Sequence, residues 1–488
     1  MRRRALLVVL GMCGAAACQR AEPGARIAIH SAPVDLDPHL QNESLTSAIL
    51  SNVYEALADY DGGHRVRPVL AAAWRNPDDR TWLFTLRSGV RFHDGRPLEA
   101  EDVVFSLERV RRRPGSPLGS YLVEVESVRA LDAKTVEVKT RRPFAALLSK
   151  LMPVFVVPRG SPERIVNPVG TGPYRFARSD GRRLELLPSP GRGGREDAPG
   201  PLTFVVEPDS RRRLERLLAG EVDVAADLDG TAVGLLERSA CCRAALLPGA
   251  TIEYLHFMST DARFRDRRVR EAIHLALDRS AYVAEGHHGL GQPIGQMAVP
   301  ALFGYMPALR PPGRDLARAR ALLAEAGYPG GLDLALEHRP GRRADVVARQ
   351  LLEAGIRVTP RASPWNDLYG RLREGRVAFY LGGLISPTGE TSDILDGFVH
   401  TRDVRRGFGS SNHSRFSSPR VDTLIEAAAT AGTLVERRER LQQAMEAVME
   451  DLWFVPVAGL TQVYGVRREI DFRPRLDLKL PGREIVRR

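Results

Sequence analysis

Few side chains in this sequence stand at spacings that make or break bonds. Vicinal Cys241-Cys242 could close a strained disulfide, bind a soft metal, or be two buried thiols. His256 and the pair His287-His288 do not fall at a metal-ligand spacing, and no acid follows them in a known metal pattern. The glycine-rich stretch GLGQPIG (residues 289–295) has Pro293 and no strand–turn–helix context, so it reads as a loop rather than a nucleotide cradle. No nucleophile elbow, phosphate-binding loop or HExxH occurs. The chain therefore reads as a non-enzyme without cofactor or metal. Residues 382–395 (GGLISPTGETSDIL) carry Glu390 and Asp393. A carboxylate taken out of water is costly unless it meets a cation, so either acid could pair with an ammonium group. Equally, both could be solvated loop acids, with Asp393 capping a helix that begins at Ile394 and Leu395.

The elements that must position such residues are legible in part. With 488 residues, 43% apolar and 27% charged, the chain has material for roughly three domains. That excludes a small disulfide scaffold, a coiled coil and a disordered polymer, and four cysteines make no disulfide framework. Residues 26–30 alternate as an entry strand that Pro33 breaks. Thr81–Leu86 (TWLFTL) alternates with Trp82, Phe84 and Leu86 on one face, and Asp94-Gly95 marks a turn. Glu99, Glu101 and Asp102 suit a helix N-terminus ahead of Val103, Val104, Leu107 and Val110. Residues 128–131 and 136–138 pair as a hairpin, so residues 75–160 read as an α+β unit. Residues 181–200 read as a surface loop. Residues 211–219 predict a helix, 222–226 a short strand, 251–258 (TIEYLHFM) a strand, and 269–277 and 316–326 helices. Alternating helices and strands to about residue 450 suggest an α/β lobe.

The formal charge is +11, and only four of the 71 basic residues are lysines. The arginines are spread along the chain among acids, which describes a solvated basic surface better than a nucleic-acid face. At the N-terminus, Arg2, Arg3 and Arg4 precede an apolar stretch, residues 5–17, too short to span a bilayer but suited to a signal peptide. Ala15-Ala16-Ala17 before Cys18 resembles a bacterial lipobox, which implies cleavage after residue 17 and lipidation of Cys18. Leucine is commoner at the Ala15 position, and an ordinary signal peptide leaving a free Cys18 is the other reading. Cys13 is the poorer candidate because Met12 precedes it.

Residues 81–110 (TWLFTLRSGVRFHDGRPLEAEDVVFSLERV) resemble the extracytoplasmic solute-binding proteins of the peptide and nickel class, family 5 of ABC importers. So do Asp35-Leu36-Asp37-Pro38, residues 169–174 (VGTGPY), 267–279 (RRVREAIHLALDR), 316–330 (LARARALLAEAGYPG), 365–375 and 417–426 (SSPRVDTLIE), in the family's order. The resemblance implies an α/β, two-lobed periplasmic-binding-protein fold of class II, type C cluster, with a small extra α+β domain and a ligand cleft between lobes. It places a tether at 18–25, the first lobe at 26–70, 165–255 and 455–488, the extra domain at 71–164 and the second lobe at 256–454. Hinge closure would enclose the ligand. The implied partners are a peptide or other small solute and separate ABC permease and ATPase subunits, with the membrane reached through the Cys18 lipid. The protein is expected in the periplasm or cell envelope, as a monomer, with no nucleic acid.

The same resemblance nominates His30, Ser31 and Ala32 at the end of the first strand. It nominates Phe257, Met258 and Ser259 at the end of the crossing strand, although Met258 and Ser259 stand where relatives usually carry asparagine. It also nominates Gly383, Leu384, Ser386, Glu390 and Asp393. Relatives that bind peptides have a tryptophan where Leu384 stands, then an aspartate near Glu390 that anchors a free amino group. The implied function is capture of a peptide-like solute for import. The alternative is ligand sensing without transport, with a sugar, opine or metal chelate as solute. A hydrolytic cleft is disfavoured.

Overall fold

Strands Ala25–Ile29 (ARIAI) and Leu202–Val206 (LTFVV) are nearly continuous apolar runs, as strands covered on both faces must be. They run parallel, with Val224–Ala225 parallel on the other side of the first strand. This computed structural model describes residues 24–61, 66–113, 116–144, 146–189, 198–386, 388–406 and 408–488. The signal peptide, Cys18 and most of the tether lie outside the described residues.

Two antiparallel strands, Arg183–Pro188 and Tyr174–Ser179, extend the first lobe's sheet beyond Leu202–Val206. The first of these corrects the surface loop expected at 181–200. Leu184 and Leu186 alternate into the core, a signal hidden among Gly, Pro and Arg. Gly181, at φ 81°, makes the hairpin turn.

Leu332–His338 and Ile356–Ala362 pair in parallel in the second lobe, beside Phe379–Leu384. Helices Arg267–Ala276, Arg279–Gly286 and Leu316–Glu325 start at Asp266, Asp278 and Asp315, whose side chains accept hydrogen bonds from the first-turn amides. The lobes share one sheet because two long antiparallel strands, Cys242–Phe257 and Phe454–Arg467, cross between them. The first begins nine residues before its predicted start at Thr251. Pro248-Gly249 lies in a bulge between Leu247 and Thr251, with Gly249 at φ 67°.

A separate four-stranded sheet, ordered Ala71–Asp78, Thr81–Leu86, Thr135–Thr140 and Val125–Ala130, packs on helix Ala100–Arg111 with its own core. The Glu99 amide donates to Asp102 Oδ2 at 2.9 Å, so the predicted acidic N-terminus is in place. Arg109 on this helix grips Asp37 of the first lobe with two hydrogen bonds, at 2.9 and 2.5 Å.

Candidate functional site

Between the lobes lies a cavity of about 330 Å³, within the range that small-molecule sites occupy. Its first wall is built at the carboxyl ends of parallel strands, where open α/β sheets present their loops. His30 follows strand Ala25–Ile29 and Asp227 lies just past Val224–Ala225. His30 Nδ1 stands 3.2 Å from Asp227 Oδ2. Asp227 has φ 53°, an uncommon conformation for a residue with a Cβ. Buried Arg213 secures this turn by donating to the carbonyls of Glu207, Ala226 and Asp227 at 2.8, 3.0 and 2.5 Å. Burial pushes the Asp227 carboxyl up, but the His30 hydrogen bond and the nearby Arg339 charge hold it far below the usual carboxylate range. Arg339 comes from the second lobe and stands 3.8 Å from Asp227, so this pair faces across the cleft.

The second wall centres on Glu253, which the crossing strand buries among three hydrogen-bond donors. Its side chain is 1% exposed. Glu253 accepts from Tyr282 at 2.5 Å, His287 at 2.6 Å and Arg343 at 2.5 Å. Burial pushes this carboxyl up, but Arg343 and the hydrogen bond from His287 overcome that and hold it at about 2. Arg343 occupies the first turn of helix Arg343–Glu353. Aromatic groups complete the enclosure. The hydroxyls of Tyr254 and Tyr380 meet at 3.1 Å, and Tyr369 packs edge-on against His413 beside Trp365. Burial pushes His413 down to about 4, so it is a neutral hydrogen-bonding group near pH 7.

The structure brings His30, Gly383, Leu384 and Asp393 to the cavity wall. It does not bring Ser31, Ala32, Phe257, Met258, Ser259, Ser386 or Glu390 there. Phe257 and Met258 are core residues of the second lobe, and Ser259 Oγ donates to the Ser414 carbonyl at 2.7 Å. The crossing strand touches the cavity earlier, at Thr251, Glu253 and Tyr254. A charged residue inside TIEYLHFM was the available signal for Glu253, since buried glutamates are rare unless paired.

Neither loop acid is solvated. Glu390 accepts from Arg437 at 2.6 Å and from Ser392 at 3.0 Å. Asp393 Oδ2 accepts from the Thr388 amide and hydroxyl and from Ser386 Oγ, at 2.7–2.8 Å. Asp393 does not cap the short helix Ser392–Ile394; it lies inside it, and Thr391 holds the cap position. Cys241 and Cys242 are free thiols with sulfurs 3.1 Å apart. Among the described residues no group of three or more His, Cys, Asp or Glu is placed to hold a metal ion. No described helix is long and apolar enough to cross a membrane.

A cleft lined from both lobes, behind two crossing strands, is the geometry of a captor. The family model of bacterial extracellular solute-binding proteins, family 5 (middle region), matches residues 65–405. The chain belongs to this family. It is 26% identical over 481 residues to heme-binding protein A of Haemophilus influenzae, covering 88% of this chain and 85% of that protein. It is 25% identical over 482 residues to the dipeptide-binding protein of Escherichia coli K12, covering 90% and 89%. Among solved structures, the Helicobacter pylori periplasmic binding protein DppA in complex with the peptide STSA superposes with a TM-score of 0.87 at 21% identity, over 95% of this chain and 98% of that one. AgaA of A. tumefaciens R10 with agropinic acid gives 0.86 at 22% identity, over 95% and 98%. The two-lobed periplasmic-binding-protein fold of family 5 is thus the fold of this chain.

Proposed function

We propose that this family 5 protein is the capture subunit of an ABC importer. It encloses one small peptide-like solute between its lobes and delivers it to separate permease and ATPase chains. The observation that carries this reading is the enclosed cavity itself, which joins apolar and aromatic walls to a few fixed polar groups from both lobes. Binding there exchanges water for pocket walls and set hydrogen bonds, and no bond-making is needed. The lobe boundaries at 26–70, 165–255, 455–488 and 256–454, the extra domain at 71–164, the monomeric state and the Cys18 lipid anchor belong to the same proposal. His30, Gly383, Leu384 and Asp393 are its contacts from the first nomination, with Glu253, Tyr254, Tyr380, Arg339 and Arg343 added.

The test is to purify residues 19–488 from native cells, identify the small molecules carried along by mass spectrometry, and titrate each back in a thermal-shift assay. A true ligand at 100 times its Kd should add about 2.7 kcal/mol of stability. Peptides or peptide-like acids that stabilise the protein support the reading. A sugar or metal chelate as the stabilising molecule would overturn the peptide-like assignment and keep the captor role.

A further inference from the structure

Lys150 lies on the short helix Leu147–Leu151 of the extra domain, and its side chain is 1% exposed. Its ammonium stands 2.8 Å from Asp396 Oδ2 and 3.3 Å from Asp393 Oδ1, both in the second lobe. It also lies 5.4 Å from the centre of the Tyr121 ring. Two carboxylates and an aromatic face are the groups that recognise an alkylammonium. Asp393 and Tyr121 both line the cavity, so this seat opens on the ligand side of the protein.

The other acids of the cavity wall are committed as well. Glu43 accepts from the Leu45 and Thr46 amides at 3.0 and 2.7 Å. Asp59 is paired with Lys479, and Asp477 with Arg475 at 2.8 Å. Asp227 meets His30, and Glu253 meets Arg343. Among the described residues, each of the six acids lining the cavity therefore already has a donor from within the chain. By contrast Arg339, 40% exposed, has its nearest carboxylate only at 3.8 Å.

We propose that Lys150 fills, from inside the protein, the seat that a ligand's amino group would take, so that the captured solute is bound without a free ammonium at this end of the cleft. Solutes whose amine is acylated, cyclised or absent meet this condition. The inference rests on the capture role proposed above and sets its ligand class: Lys150 is a specificity-determining residue that makes a terminal amine dispensable.

Two probes test it. Trialanine and N-acetyl-trialanine are titrated into residues 19–488 and into Lys150→Ala, with Lys150→Met as an uncharged variant of similar length. Separately, n-butylammonium chloride is compared with equal sodium chloride in thermal melts of all three proteins. The parent should treat the two peptides alike, within about threefold. In Lys150→Ala the free-amine peptide should gain at least about tenfold over the acetylated one. Butylammonium should raise the melting temperature of Lys150→Ala and leave the parent and Lys150→Met unmoved. A parent that prefers the free amine by tenfold or more overturns the proposal, as does a Lys150→Ala protein that butylammonium does not stabilise. If Lys150→Ala fails to fold, the parent's peptide preference decides alone. If butylammonium restores the variant while neither peptide binds any of the proteins, the seat stands and the peptide-like reading of the function falls.

Discussion

Glu253→Ala should lower stability by about 3–5 kcal/mol, the usual cost of removing one partner from a buried ion pair. The substitution takes the acceptor from three donors at once, Tyr282, His287 and Arg343. Arg343 then loses its ion-pair partner beside the crossing strand, and the cavity wall that Glu253 orders loses its fixed side chain. The effect has a pH signature. The Glu253 carboxyl titrates at about 2 in the folded protein, below its ordinary value of 4.5. Its contribution is therefore full above the ordinary value and is lost as pH falls from there through about 2. The gap between the two values corresponds to about 3 kcal/mol. Urea midpoints of parent and variant, compared at unchanged slope, should differ most near pH 6 and converge towards about pH 2. A difference independent of pH would show that lost packing, rather than the charge cluster, sets the cost.

The second large effect is expected at Asp37, which is 0% exposed. It accepts two hydrogen bonds from Arg109 and one each from the His39 and Ile165 amides, at 2.9 and 3.0 Å. Burial pushes this carboxyl up, but Arg109 and the two amides bring it below the usual range. Its stabilisation is present above the ordinary carboxylate value and fades as pH drops through the lower folded value. Asp37→Ala strips the acceptor from two backbone amides and from an arginine whose side chain is only 10% exposed. A loss of about 3–5 kcal/mol follows. Because Arg109 belongs to the extra domain and Asp37 to the first lobe, limited proteolysis should release the extra domain's strands before either lobe is cut. Simultaneous cleavage everywhere would count against this pair as the junction.

What could be read from the sequence followed distance along the chain. The helix capped by Asp315, the TWLFTL strand and the hairpin near 131–135 are written in local spacing and caps and stand where spacing put them, whereas the helix expected at 269–277 begins earlier, at Arg267 behind the Asp266 cap. His30, nominated by the family resemblance, stands at the cavity wall. Much of the rest of the cleft was not legible. Glu253 meets Arg343 across 90 residues, and Lys150 meets Asp393 across 243. No periodicity records such pairs; the fold alone decides which loop acid finds a cation. Glu390 and Asp393 looked alike in sequence, yet one is held by Arg437 behind the wall and the other faces the cavity under Lys150. The strand Arg183–Pro188 was missed for a different reason, since its two buried leucines are flanked by residues that ordinarily mark a loop.

Capture in this cleft is tested by native mass spectrometry of the chain purified from its own cells, before and after long incubation, for the parent and for Gly383→Trp. Gly383 lines the cavity beside Thr251, and an indole there would take up part of the space a solute needs. The parent chain should carry one small molecule, of unchanged mass after incubation, and Gly383→Trp none. A bound molecule whose mass changes with time, or one that Gly383→Trp retains as well as the parent does, would contradict capture in this cleft.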